Sequence, residues 1–167
     1  MASQDRLFAD LDLLNIVWKL VEHQAVFTVE ESAQVDRDIP GAHTKNLFLK
    51  DAGAQFWLVT VPAEMRVDLK QLPAAIGSKR VSFAKPDDMM RLLGITPGSV
   101  TPLAAINDSD ALVTVVLDAS LADAECVNVH PLKNTATLSL AFADLIRILK
   151  HWYHAPVIAH IPAMALN

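Results

Sequence analysis

The sequence is poor in cysteine, with Cys126 as its single thiol among 167 residues. One cysteine excludes an internal disulfide framework and any zinc site built on several thiolates. Cys126 stands in an apolar, strand-like stretch, so we predict a buried, inert thiol rather than a reactive nucleophile. We therefore expect no metal, no cofactor and no covalent chemistry at a thiol.

Long hydrophobic runs are also lacking. The uncharged stretch 52–63 contains polar residues and is far shorter than the roughly 20 residues that a membrane span needs. Residues 1–14 carry acidic side chains where a signal peptide requires a basic segment followed by an apolar one. The 52% apolar content is ample for one hydrophobic core at this length. We expect a single cytoplasmic domain spanning residues 1–167, with no membrane partner.

Common catalytic motifs are absent as well. The sequence contains no GxSxG, HExxH or GxGxxG pattern, and Gly77–Arg80 lacks the spacing of a phosphate-binding P-loop. Among the six histidines, His151 and His154 have a spacing that suits a metal. They stand near a predicted helix end, which favours a solvated role or a role beside the helix dipole.

Positive charge is scarce overall but concentrated in the middle of the chain. The net charge of −5 argues against a generally basic nucleic-acid-binding surface. Residues 1–44 hold three basic and eight acidic side chains, residues 45–91 eight and five, and residues 92–167 three and six. The middle set is Lys45, Lys50, Arg66, Lys70, Lys79, Arg80, Lys85 and Arg91. This set is either a face for a polyanion or ordinary scattered surface charge.

Hydrophobic periodicity and turn residues predict more strands than helices. Helices are predicted for 3–15, 28–35, 86–94 and 144–152, and strands for 16–21, 45–50, 56–61, 111–117, 126–129, 136–140 and 157–159. The Thr28–Glu31 pattern of a capping box opens the second helix, and Pro86 and Gly94 bound the third. The strands do not alternate regularly with helices. We therefore predict an α+β domain with a mixed, barrel-like β-sheet surrounded by helices.

The segment Pro97–Pro102 places two prolines around four residues that each possess a backbone N–H. Several such donors can converge on a carboxyl or carbonyl oxygen that gains negative charge. A structural turn after the preceding helix would use the same residues, so both interpretations stay open. Lys45, at the start of an apolar strand, is in the same way either a surface lysine or a ligand-binding one.

Four segments taken in order resemble the YbaK/ProXp family of aminoacyl-tRNA deacylases, relatives of the editing insertion of bacterial prolyl-tRNA synthetases. The segments are Phe27–Glu30, His43–Leu49, Leu92–Pro102 and Val127–Thr137. The chain is most similar to the free-standing ProXp-ala type, which hydrolyses alanine mischarged onto proline tRNA. The usual Ser-Pro before the last helix is Ala141-Phe142 here, a departure that touches a helix cap.

The resemblance also implies site residues. Gly98–Pro102 matches the GxxxP substrate loop, Lys45 falls on the functional lysine, and His130 falls on the histidine that borders the pocket. The implied catalytic residues are Lys45, Gly98 and His130, and the implied substrate-binding residues are Val29, Thr44, Asn46, Leu47, Ser99, Val100, Thr101 and Pro102. In this interpretation Lys45 contacts a phosphate near the terminal adenosine, and a ribose hydroxyl of the tRNA assists the water.

The implied activity is deacylation of alanyl-tRNA(Pro), with aminoacylated proline tRNA and prolyl-tRNA synthetase as partners and no cofactor. Two alternatives remain. One is the same hydrolysis on another mischarged amino acid, such as cysteine or serine. The other is a non-catalytic tRNA-binding or synthetase-associated module that uses the basic middle segment.

Overall fold

The computed structural model of the chain describes residues 1–25, 34 and 38–165. The strands are β1 (Trp18–Glu22), β2 (Ala42–Asp51), β3 (Phe56–Pro62), β4 (Val81–Phe83), β5 (Val113–Asp118), β6 (Val127–Val129), β7 (Ala136–Leu140) and β8 (Val157–Ala159). The helices are α1 (Gln4–Leu13), α2 (Leu72–Ile76), α3 (Pro86–Leu93) and α4 (Phe142–His151). The helix predicted from the Thr28–Glu31 capping box lies outside the described residues.

The eight strands form one mixed sheet in the order β1-β7-β6-β2-β3-β5-β8, with β4 paired to β2 off this path. The β2–β3 hairpin is antiparallel, whereas β3–β5 and β5–β8 are parallel. Six of the seven residues of β3 are buried, as expected of a central strand covered on both faces. The predicted α+β class and the central β3 are confirmed.

Strand β2 has an interruption along one edge. One edge pairs with β3 from Thr44 to Lys50. The other edge pairs with β6 only at residues 42–43 and with β4 only at residues 49–51. Among the described residues, positions 44–47 therefore have no strand partner on that edge. We call this opening the β2 notch.

The two faces of the sheet are covered by different apolar clusters. The larger cluster includes Phe48 and Leu58 of the hairpin and residues of α1, α3 and α4. The smaller cluster includes Leu49 and Val59, the next residues along the same strands, together with Leu72 of α2. This alternation follows from the two-residue period of a strand. Each fully buried leucine or phenylalanine contributes roughly 1.5–3 kcal/mol to stability.

Local signals in the sequence account for the helix boundaries. The Ser3 hydroxyl accepts a hydrogen bond from the Arg6 amide at 3.3 Å at the start of α1. Helix α3 begins at Pro86, which needs no amide partner there, and it ends at Gly94 with φ of 66°, a conformation that glycine adopts without strain. These two predicted helices are confirmed.

Within the described residues, no helix combines the length and apolar character required to cross a bilayer.

Two predictions about single side chains are wrong. Cys126 is half-buried rather than buried, because it precedes β6 and points toward the chain around Pro40, whose carbonyl oxygen lies 3.8 Å from its sulfur. Gly41 leaves room for that sulfur, since a Cβ there would come within 2.6 Å of it. His154 is buried rather than solvated, because Tyr153, with φ of 61°, reverses the chain after α4.

The buried His154 joins the end of α4 to the loop before β5. Its Nε2 lies 2.8 Å from Asp108 Oδ2, and its Nδ1 lies 2.7 Å from the Trp152 carbonyl oxygen. Both neighbours are acceptors, so the ring satisfies both contacts only when both nitrogens carry protons. Burial opposes that charge, but the hydrogen bond to Asp108 outweighs it and raises the pKa of His154.

Asp108 is held in its charged form at the same place. Burial opposes ionisation, but hydrogen bonds from His154 and from the amides of Val113 and Leu112 outweigh it and lower the pKa of the Asp108 carboxyl. The two amide contacts measure 2.8 and 3.1 Å. The ion pair is therefore present between the lowered pKa of Asp108 and the raised pKa of His154.

This pair generates a pH-dependent stability. Because the pKa of His154 is raised in the fold, its contribution is complete below the ordinary histidine pKa and is lost as the pH rises through the raised value. We expect the stability difference between the wild type and His154→Gln to shrink from about pH 6 to about pH 9. Denaturant unfolding at both pH values measures it. A difference that stays constant or grows contradicts a charged His154.

Candidate active site at the β2 notch

Asn46 connects the β2 notch to the predicted substrate loop. Its side-chain amide donates to the Val100 carbonyl oxygen at 3.0 Å, and its Oδ1 accepts from the Thr60 hydroxyl at 2.5 Å. A carboxamide held by a donor and an acceptor at once has a fixed orientation. Asn46 therefore attaches the loop that contains Val100 to β2. The attachment lies within the β2 notch, where β2 has no strand partner on one edge.

The predicted substrate loop, Pro97–Pro102, is largely buried, and some of its backbone N–H groups are already hydrogen-bonded within the protein. Ser99 and Thr101 are buried while Gly98 is exposed. Residues Pro97–Ser99 form a 3-10 turn in which the Ser99 amide donates to the Thr96 carbonyl at 2.9 Å. The Thr101 hydroxyl accepts from the Leu103 amide at 3.3 Å and caps the next turn. Ser99 is thus removed from the predicted set of four converging amides, and those of Gly98, Val100 and Thr101 remain the candidates.

Gly98 faces the turn that follows His130. A Cβ built on Gly98 would lie 3.4 Å from the side-chain nitrogen of Asn134. A larger side chain at position 98 would therefore fill the space between the loop and the β6–β7 turn. The structure brings the predicted loop and the neighbourhood of His130 together.

His130 lies just after β6 and is half-buried. Its Nδ1 is 3.5 Å from the Ala136 carbonyl oxygen. Burial lowers the pKa of His130, the contact with Ala136 opposes this, and the nearby His23 lowers it further. The ring is therefore neutral near pH 7, which suits the wall of a pocket better than the binding of an anion.

A polar network on β6 fixes the first residues of β2. The Thr44 hydroxyl donates to the Asn128 carbonyl oxygen at 2.6 Å. The Asn128 side-chain amide donates to the Pro40 carbonyl at 3.1 Å, and its Oδ1 accepts from the Ser139 hydroxyl. Sequence reasoning assigned no role to Asn128 or to Thr60, although Asn128 lies inside a segment that carries the family resemblance. Both residues form hydrogen bonds with residues that are not their neighbours in the sequence, so the sequence pattern does not reveal these contacts.

Lys45 and Leu47 lie on the other face of the same strand from Asn46, because successive side chains alternate. His43 pairs with Asn128, so alternation places His130 on the face of Lys45 and Leu47. Lys45 is half-buried and has no hydrogen-bond or ion-pair partner among the described residues. Its charge is therefore available to an external anion.

The loop thus approaches the β2 notch from the side of Asn46, whereas Lys45, Leu47 and His130 share the opposite face. Val29, also predicted for the pocket, lies outside the described residues. Within the described ranges, no three His, Cys, Asp or Glu side chains are grouped so as to hold a metal ion.

The basic middle segment forms an exposed surface beside this site. Lys50 is on β2, and Lys79 and Arg80 precede β4, which Lys85 follows; all four are exposed. The backbone of this region is fixed by Asp51, whose carboxylate accepts from the amides of Gly53, Gln55 and Lys79 and from the Trp57 indole. We call the four basic residues around the β2–β4 pair the β2–β4 basic surface.

A separate open cavity of about 750 Å³ lies between the start of α1 and the end of α3. It contains none of the predicted site residues. Each of its two arginines has an acidic neighbour on its own helix, Arg6 with Asp10 at 4.0 Å and Arg91 with Asp88 at 2.9 Å. This cavity therefore offers an anion less unpaired charge than the β2–β4 basic surface.

The chain is similar to known proteins along most of its length. Residues 23–148 match the model of the aminoacyl-tRNA editing domain. The chain is 41% identical over 151 residues to the prolyl-tRNA editing protein ProX of Acetoanaerobium sticklandii, with 90% of this chain and 92% of that protein covered. It is 39% identical over 162 residues to prolyl-tRNA synthetase associated domain-containing protein 1 of Bos taurus, with 94% and 92% covered.

The fold is also shared with a solved structure. A candidate trans-editing enzyme for prolyl-tRNA synthetase matches with a TM-score of 0.73 at 20% identity, covering 98% of this chain and 100% of that one. The resemblance predicted from the four sequence segments is confirmed at the level of the family. The family match over most of the chain and the identity along nearly its full length show that this chain belongs to the aminoacyl-tRNA editing domain family.

Proposed function

We propose that the protein is a trans-editing hydrolase that deacylates alanyl-tRNA(Pro), releasing alanine and free tRNA. The observation that carries the proposal is the Asn46–Val100 hydrogen bond, which joins the GxxxP-like loop to the strand that also carries Lys45, while Gly98 faces the turn that follows His130. Family membership supports hydrolysis of an aminoacyl ester. The identity to a protein named for prolyl-tRNA editing supports proline tRNA as the carrier.

Hydrolysis of the aminoacyl ester does not require a nucleophilic side chain of the protein. A water oxygen attacks the ester carbonyl and gives up a proton, and negative charge develops on the carbonyl oxygen. The bond to the ribose oxygen then breaks as that oxygen takes up a proton. The amides of Gly98, Val100 and Thr101 are the groups of this chain that can receive the carbonyl or the amino end of the substrate. A ribose hydroxyl of the tRNA assists the water. Positioning and electrostatic stabilisation then supply the rate enhancement, without metal or thiol.

Lys45 positions the ester through a phosphate. It lies half-buried on the face shared with His130, without an anionic partner among the described residues. A lysine contact with a phosphate fixes the register of a nucleic acid without reading its sequence. The ester is thereby placed at the notch for every tRNA that presents the same 3′ end.

Amino-acid selection is assigned to the pocket wall. A proline pocket rejects the smaller alanine weakly, so a second site must remove the error. Leu47 and His130 lie on one face of the sheet and bound the space available to the aminoacyl group, and Val29 is assigned to the same wall. Proline adds two ring carbons, and extra methylenes in a packed site cost about 1–3 kcal/mol.

Two other functions remain alternatives. The same pocket would accept cysteine or serine, which differ from alanine by one heavy atom. A non-catalytic module is the second alternative, which the name of the bovine relative, prolyl-tRNA synthetase associated domain-containing protein 1, favours. Incubating the purified protein with alanyl-, cysteinyl-, seryl- and prolyl-tRNA in the presence of a chelator separates them. The proposal requires alanine release without added metal. Binding without turnover would support the module.

Lys45→Ala should reduce deacylation at least about 100-fold, equivalent to roughly 2.7 kcal/mol of barrier, because the ester loses its phosphate contact. Lys45→Arg should also be impaired, since its planar guanidinium is broader than an ammonium. Single-turnover kinetics measure the loss, and Lys19→Ala, an exposed lysine on β1, is the matched control. Normal turnover with unchanged melting would remove Lys45 from the site.

Asn46→Asp should lower kcat about tenfold or more, because a carboxylate cannot donate to the Val100 carbonyl and the loop loses its attachment to β2. Asn107→Asp provides the control, since Asn107 holds the Leu93 carbonyl in a different region at 2.8 Å. Rates are compared at equal fractions folded. Equal kcat values for the two variants would show that the loop position does not matter to turnover.

His130→Ala should enlarge the pocket and reduce the preference for alanyl over bulkier aminoacyl groups, and alanine cleavage should also slow as positioning loosens. The ratio of kcat/KM for alanyl- and prolyl-tRNA measures the preference. His151→Ala, an exposed histidine at the end of α4, is the control. If His130→Ala melts earlier but keeps the wild-type ratio, His130 is structural and does not form the wall.

A further inference from the structure

Phe83 is an exposed aromatic residue inside the β2–β4 basic surface. It ends β4 and is 62% exposed. A single exposed apolar side chain is ordinary in itself. The residues around it make it informative, because Lys85 lies two residues further along the chain and β4 pairs with β2, the strand that carries Lys45.

The register of the strands aligns Phe83 with Lys45. Phe83 pairs with Leu49, and the Ala84 amide donates to the Phe48 carbonyl at 2.9 Å, so the antiparallel pattern continues past the end of β4. Lys85, which is extended, is the next residue on the side of Phe83. Alternation places Lys45, Lys85 and Phe83 on one face, over roughly 14 Å along β2 at about 3.4 Å per residue.

The charges around this face favour a polyanion. Lys79, Arg80 and Lys85 are exposed, whereas Lys50, which pairs with Ser82, lies on the opposite face with its ammonium 5.4 Å from the centre of the Phe56 ring. Two nearby acidic side chains already have partners within the protein. Asp51 is buried and accepts four hydrogen bonds, and Asp88 forms an ion pair with Arg91 at 2.9 Å. Asp87, at the start of α3, is an exposed acid. Positive charge with an interleaved aromatic ring suits single-stranded nucleic acid better than an apolar protein surface.

We propose that Phe83 is a stacking platform for an unpaired base in the 3′ strand of the tRNA substrate, and that Lys85 contacts an adjacent phosphate on the path to Lys45. The proposal rests on the proposed function. Stacking tolerates any base because every base has a π-face. It therefore binds a strand without selecting a particular base sequence. Phe83 would thus fix the distance between the double-stranded acceptor stem and the ester at the notch.

The proposal predicts distinct effects for different substitutions at position 83. Phe83→Ala should raise KM for aminoacyl-tRNA about tenfold, a loss within the range of one base–aromatic stack, and leave kcat nearly unchanged. Phe83→Trp should retain wild-type KM, whereas Phe83→Leu, which keeps apolar area without a ring, should behave as Phe83→Ala. Tyr153→Ala is the matched control, since Tyr153 is 90% exposed and lies outside the basic segment.

Binding of uncharged RNA tests the stack without any chemistry. An acceptor-stem RNA carries 2-aminopurine in its unpaired 3′ strand, and its fluorescence should be quenched by the wild type and by Phe83→Trp but not by Phe83→Ala. Lys85→Ala should reduce the slope of log K against log salt by about one, whereas Phe83→Ala should leave that slope unchanged.

The outcomes separate this proposal from the proposed function. Wild-type deacylation with unchanged quenching and KM in Phe83→Ala would overturn the stacking role and leave the activity standing. Wild-type KM in Phe83→Leu would also overturn it, since an apolar contact would then suffice. A variant that loses binding to prolyl-tRNA synthetase but binds RNA normally would assign Phe83 to a protein partner. If the wild-type protein hydrolyses none of the aminoacyl-tRNAs, the proposed function is rejected. The quenching experiment uses uncharged RNA, so it still tests whether Phe83 stacks on a base.

Discussion

The discontinuous edge of β2 is the constraint on which the site depends. A strand buried in a sheet normally satisfies its backbone along both edges. Here β3 covers one edge, while β6 and β4 divide the other and leave positions 44–47 uncovered. Asn46 lies in this stretch of β2, and its side-chain amide donates to the Val100 carbonyl oxygen and so joins the loop to the strand. In the proposed function, this interruption is the place where backbone donors of the loop reach the ligand.

The charges of the protein are distributed in agreement with this arrangement. The buried carboxylates of Asp51 and Asp108 are each saturated by hydrogen bonds and serve the fold. Near the notch, burial keeps His130 neutral by lowering its pKa, so the positive charge next to His130 on that face comes from Lys45. A net charge of −5 with one basic surface directs a polyanion to that surface and repels it elsewhere.

Sequence patterns predicted the parts of the fold that depend on local chemistry. The hairpin, the central position of β3 and the bounds of α3 follow from alternation, from Pro86 and from Gly94. Strand β4 and helix α2 escaped prediction because they have three and five residues, too few for a period to be detected. His154 and Cys126 were assigned incorrectly because their burial depends on where the chain reverses. The family segments indicated the loop, Lys45 and His130 as candidates, whereas the hydrogen bond between Thr60 and Asn46 is visible only in the structure.

The proposed function requires the aminoacyl end of the substrate to lie at the β2 notch. The most direct test is an NMR titration with alanyl-adenosine in which an amide replaces the hydrolysable ester. We expect the largest shifts at the amides of Gly98, Val100 and Thr101 and at the His130 ring, and we expect these shifts to be lost in Asn46→Asp. Shifts confined to the cavity near Arg6 and Arg91, or an undisturbed loop at saturation, would contradict it.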